Sequence, residues 1–307
     1  MKKDDSSLEP HEHLVVTEAA KNLLNKADAW GRFPTPINDL MAAAQLKVAP
    51  VSVFDERTMW RYLQEAGEKA KQLLRQAMDK ILGIFDVHAN VIHIDPTVSP
   101  EKQTFLQLHE IGHKEIPHQN GIYRWIQDGD QHLASEVAEL FEREANTFAS
   151  IVLFQNDAFA NMASDYEFGI KVPLKISRNF GASLYAGIRE YVRSNPKVCA
   201  VIILNPTSIC PTNGATAGVR RIEMSQGFRD QFSPFLLPAE LTPNDGLMRF
   251  IPINPKVMSR PDTFIFFDRN GQRHEFVGEG FRTPYNTFIL IHAKITLKPT
   301  ILISQRL

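Results

Sequence analysis

Cysteine is scarce in this 307-residue chain: Cys199 and Cys210 are the only two. Two thiols cannot build a disulfide framework, and a chain of this length buries enough core to need none. Cys199 lies inside an apolar run, so both thiols are expected to be reduced. Net charge is also nearly absent, with 34 Lys+Arg against 35 Asp+Glu. That balance gives no overall field for a polyanion, so nucleic acid is not expected as a partner. Nowhere do 18 apolar residues run together, and MKKDDSSLEPHEH has no apolar segment behind its lysines to form a secretory signal. A cytoplasmic protein with no membrane partner is the expectation.

Length alone suggests roughly two domains. The first 15 residues are polar and expected to be flexible. Helical spacing of Val16, Ala19, Ala20, Leu23 and Leu24 marks a first helix, and a second short one is expected from Asn38 to Gln45. Val48 to Phe54 reads as a strand and residues 57–80 as an amphipathic helix. ILGIFDVHANVIHID reads as a hairpin turning at His88-Ala89-Asn90. Ser99-Pro100 then opens a helix that carries FLQLHEIGHKEI and ends at Pro117. A polar loop is expected over 118–131, a long helix over 133–153 and a shorter helical pair over 174–193. After Asn195-Pro196 the chain turns to strands at 198–204, 219–224, 263–268, 273–277, 287–292 and 300–304, with Asn270-Gly271 as a hairpin turn.

The chemistry is carried by His109-Glu110-Ile111-Gly112-His113, an HExxH motif in the middle of the expected helix. Residues four apart differ by about 40° around a helix, so both imidazoles reach one metal. Glu110 sits on the flank of that face, placed to take a proton from water. Phe105, Leu106, Leu108 and Ile111 make the helix apolar around most of its girth, so the histidines are expected to be buried. Buried imidazoles beside a carboxylate need partners, and a divalent cation satisfies all three.

Two histidines leave the usual set one ligand short. The extended pattern with a third histidine is excluded, because Ile116 and Gln119 stand where it needs Gly and His. The next helix offers Glu136, Glu139, Glu142 and Glu144 instead. Glu142 has Asn146 one turn on, where its amide can hold the second nitrogen of a ligating histidine. Glu144 lies about 200° from Glu142 and is expected to face solvent. No oxyanion stabiliser stands out: His118, Tyr123, His132 and Arg178 read as surface or structural groups.

HEIGH followed by FEREANTFAS, with ILGIFDVHANVIHID and FPTPINDLMAAAQLKV upstream, resembles the ImmA/IrrE family of metallopeptidases over residues 30–195. VPLKISRNFGASLYAGIREYV is similar to the middle segment of the longer, IrrE-like members. The resemblance implies metal ligands His109, His113 and Glu142, with Glu110 as general base. It implies one divalent ion, Zn2+ or else Mn2+, and a helix-turn-helix transcriptional repressor as protein substrate, cut to release stress-response or mobile-element genes. The expected fold is α+β: a mainly helical, zincin-like metallopeptidase domain with a small sheet (16–165), a helix-turn-helix-like segment (166–195) and a strand-rich α/β, GAF-like C-terminal domain (196–307). VIHI at 91–94 is expected at a sheet edge, binding substrate in extended form. Two other functions fit the same residues: a sensor with a structural metal site and a C-terminal domain binding a small ligand, or a DNA-binding regulator.

Overall fold

A computed structural model describes residues 8–49, 83–86, 90–95, 97–127, 135–210, 214–252, 254 and 256–296. The helix expected over 57–80 and the strand expected over 300–304 lie outside them. The chain forms two compact units, residues 1–159 with 177–183, and residues 160–176 with 184–307. The segment expected as one helical linker over 166–195 is thus divided between them. Among the described residues no helix is long and apolar enough to cross a membrane.

In the first unit, helix α1 (Pro10–Lys26) begins inside the stretch expected to be flexible. It can begin there because Pro10 needs no N–H partner in the first turn, and the Glu9 N–H donates to Glu12 Oε2 at 2.8 Å. Val16, Ala19, Ala20, Leu23 and Leu24 form its buried face. Helix α2 (Ile37–Ala43) leads to a two-residue strand β1 (Lys47–Val48). Strands β2 (Gly83–Asp86) and β3 (Val91–Ile94) pair antiparallel, as the hairpin reading requires.

β3 is not an edge. β1 pairs parallel with its other side at Val91 and Ile92, giving the order β1-β3-β2, so these two residues have strand neighbours on both sides. An extended substrate therefore cannot add along Val91 and Ile92, which corrects the sequence expectation of a free edge.

Helix α3 (Pro100–Glu115) carries the HExxH motif and packs against α5 (Ser135–Phe154). Phe141, Ala145, Phe148, Ala149 and Val152 give α5 its buried stripe. Between these helices, residues expected as loop form helix α4 (Pro117–Gln127). Ile116 is extended, with φ −76° and ψ 115°, the conformation imposed on a residue before proline. Pro117 thus ends one helix and starts the next, turning the chain back beside α3.

Phe33, Phe154, Phe159 and Phe180 close the bottom of this unit as an aromatic cluster. Phe180 comes from a 3-10 turn, Ser177–Phe180, followed by Gly181 at φ +71°.

The second unit begins in α6 (Ala158–Ser164) and adds helices α7 (Lys171–Ile176) and α8 (Leu184–Arg193). Strands β4 (Cys199–Leu204), β5 (Ser208–Cys210), β6 (Gly214–Met224), β8 (Asp262–Phe267), β9 (Arg273–Arg282) and β10 (Thr287–Thr296) make an antiparallel sheet in the order β5-β6-β4-β10-β9-β8. The short β7 (Glu240–Leu241) pairs with β6, and helix α9 (Gln226–Phe232) follows β6.

β4 is buried along its whole length, as its unbroken run CAVIIL requires. On one face Ala200, Ile202, Ile289, Ile291 and Phe276 pack with Phe228, Phe232 and Phe250. Cys199 is a buried free thiol, pushed up to about 12 by burial, and so is no nucleophile at neutral pH. In α8, Arg189 pairs with the buried Glu223 at 3.1 Å and Arg193 with Glu190, so both guanidiniums of this helix are committed within the protein.

Candidate metal centre

His109 and His113 stand one turn apart on α3, 8% and 5% exposed. Their Nε2 atoms are 3.1 Å apart and the rings are perpendicular. Glu142 of α5 faces both, with Oε2 3.6 Å from His109 Nε2 and Oε1 3.9 Å from His113 Nε2. Ligand atoms of these three residues all lie within 4.8 Å of one another, and they form the one such group of His, Cys, Asp and Glu among the described residues.

The helices come close enough for this because residue 112 lacks a side chain. A Cβ on Gly112 would stand 3.1 Å from Phe148 Cδ1 and 3.3 Å from the Ala145 Cα, so the glycine of HEIGH is where α3 seats on α5.

The electrostatics suit a cation. Burial pushes His109 down to about 4, partly opposed by its contact with Asn146; burial and the neighbouring His109 bring His113 to the same range. Both rings are therefore neutral at physiological pH, which is the state that ligates metal. Two neutral imidazole nitrogens and one carboxylate, converging from two helices, match the two-His, one-Glu set that leaves a position open for catalysis. Zinc, manganese and iron are all compatible with these donors.

Around the three donors the structure places the other expected residues. Glu110 is 5% exposed on the motif helix, and its carboxylate is outside the donor group. Asn146 Oδ1 lies 3.1 Å from His109 Nδ1. Glu136 and Glu139 are exposed. Arg178 lies in the 3-10 turn of the first unit, Tyr123 lies on helix α4, and His132 falls outside the described residues.

Glu144 departs from expectation. It is 2% exposed instead of facing solvent, because it follows Phe141 by three residues and precedes Phe148 by four, on the apolar stripe of α5. Its Oε2 accepts from Gln119 Nε2 at 2.6 Å and meets His118 Nε2 at 2.7 Å. Gln119 is fully buried, and its Oε1 lies 2.7 Å from His113 Nδ1. In the sequence Gln119 stands out only as the residue in place of a third histidine. The signal available was its place just behind Ile116-Pro117, where a following helix returns toward the motif.

The sequence profile described as the IrrE N-terminal-like domain matches residues 68–186, which take in HEIGH, Glu142 and Asn146. No curated protein matches the chain in sequence. Among solved structures, a Mycobacterium tuberculosis transcriptional regulator aligns with TM-score 0.49 and 11% identity, covering 91% of this chain and 87% of that one. Residues 68–186 are thus similar to the IrrE N-terminal-like domain.

Proposed function

We propose that the chain is a metal-dependent endopeptidase that cuts a helix-turn-helix transcriptional repressor in the cytoplasm and so releases stress-response or mobile-element genes. The observation that carries the catalytic part is the convergence of His109, His113 and Glu142 within 4.8 Å, beside a buried glutamate that the donor set does not use. A purely structural metal site needs ligands but no such carboxylate, which favours the peptidase over a sensor with a structural ion.

His109, His113 and Glu142 would hold one divalent ion, which we take to be zinc. When bound, such an ion polarises a peptide carbonyl and lowers the pKa of water. Glu110 takes the proton from the attacking water and later returns it to the departing amine, so one carboxyl serves as base and then as acid. Its burial keeps bulk water away from that proton. Asn146 fixes the ring plane of His109.

The repressor as substrate follows from the family resemblance, and the C-terminal unit, read as a GAF-like module, is where a small ligand would set the activity. Incubating the purified chain with zinc and the helix-turn-helix repressors encoded beside its gene should give discrete fragments by mass spectrometry. An excess of chelator should abolish them. Fragments that persist in chelator would overturn the metallopeptidase reading.

A further inference from the structure

We infer that Gln119 is the positioning residue for His113: its side-chain oxygen holds that ring as the Nδ1–H tautomer, leaving the Nε2 lone pair to face the donor group, and Glu144 decides which way round the Gln119 amide sits. The inference rests on the reading of His113 as a metal ligand and adds what prepares it.

A glutamine amide has two ends of nearly equal shape, so its orientation is set by what surrounds it. Here Nε2 faces the Phe141 carbonyl oxygen at 3.2 Å and Glu144 Oε2 at 2.6 Å. Both are acceptors, so only the NH2 end fits. Turning the amide over would set oxygen against two oxygens in a site with no solvent exposure. Oε1 is therefore the end 2.7 Å from His113 Nδ1, and since it can only accept, Nδ1 carries the proton.

A neutral imidazole has one proton and two nitrogens. With Nδ1 protonated, Nε2 has its lone pair directed toward His109 Nε2 and Glu142. The other tautomer would put a hydrogen where the metal belongs.

Glu144 does not approach the donor group itself. It acts through Gln119, and its same oxygen meets His118 Nε2 at 2.7 Å, a ring 40% exposed. Hydrogen bonds thus run from His113 through Gln119 and Glu144 to His118 at the surface. His109 has an amide anchor too, Asn146, but that of His113 is locked from behind by a carboxylate.

The test uses the full chain, metal-free, with the ring nitrogens read by 15N NMR and zinc affinity read by competition with a chromogenic chelator. The wild type should show His113 protonated at Nδ1. Gln119→Met, apolar and of similar length, should lose that single tautomer and bind zinc about 10- to 100-fold more weakly. If Gln119→Met does not fold, Glu144→Gln keeps the shape but removes the carboxylate, and should give a smaller loss of affinity with mixed tautomers.

A role in packing alone would lower stability without moving the ring nitrogens. His113 protonated at Nε2 in the wild type, or both variants keeping tautomer and affinity, would overturn the inference. Absence of zinc binding by the wild type, with the tautomer change still present in Gln119→Met, would overturn the peptidase reading and leave the hold of Gln119 on His113 standing.

Discussion

Glu110→Gln is expected to lower kcat for the proposed repressor cleavage by about 10²- to 10⁴-fold, the usual contribution of a positioned general base, while zinc content stays at the wild-type level. The amide keeps the shape of the carboxyl but cannot take a proton from water. Glu110 is outside the group formed by His109, His113 and Glu142, so its loss leaves the donor set whole. Parallel measurement of kcat and bound zinc separates base from ligand. A variant that cuts within about tenfold of the wild type would assign the proton transfer to another group. A variant that loses its zinc would make Glu110 part of the metal site.

The largest effect on stability is expected in the second unit. A Cβ on Gly280 would stand 1.9 Å from the Phe250 carbonyl oxygen, and one on Gly278 would stand 2.5 Å from Phe250 Cζ. These two glycines lie on the core face of β9, and the buried Phe250 rests against the groove they leave.

They differ in kind. At Gly278 the obstacle is a ring, which a smaller residue at 250 would remove. At Gly280 it is backbone, and the same strand position also exchanges hydrogen bonds with Ser259, so nothing local can move aside. Gly280→Ala is expected to cost on the order of 4 kcal/mol or more and to remove the unfolding transition of this unit in denaturant. Gly121→Ala on helix α4, where a Cβ meets nothing within 4 Å, should instead be neutral or mildly stabilising. Equal denaturation midpoints for Gly280→Ala and the parent would mean that β9 and Phe250 do not approach as described.

What could be read from sequence follows the range of the interactions. HEIGH and the Glu142 and Asn146 pair were legible because each depends only on helical spacing, and a metal demands donors on one face. Glu144 was legible in principle: Phe141, Glu144, Ala145 and Phe148 share a stripe, but a carboxylate on an apolar stripe reads as an exception until its partner is known. That partner, Gln119, arrives only because Ile116-Pro117 reverses the chain, which a local reading took for the start of a loop. β3 was assigned to an edge because its parallel neighbour β1 is more than forty residues away in sequence, with only two residues of its own. β9 runs five residues past the strand expected at 273–277, through Gly278 and Gly280. Those same glycines are room for Phe250, a contact from outside the strand.

The most direct test of the metal centre is the zinc content of Glu142→Ala beside that of the wild type, each dialysed against the same buffer and measured by mass spectrometry. One equivalent is expected for the wild type and a small fraction of that for Glu142→Ala, because two imidazoles alone leave the ion too few protein donors. A full equivalent retained by Glu142→Ala, or none bound by the wild type, would contradict the centre formed by His109, His113 and Glu142.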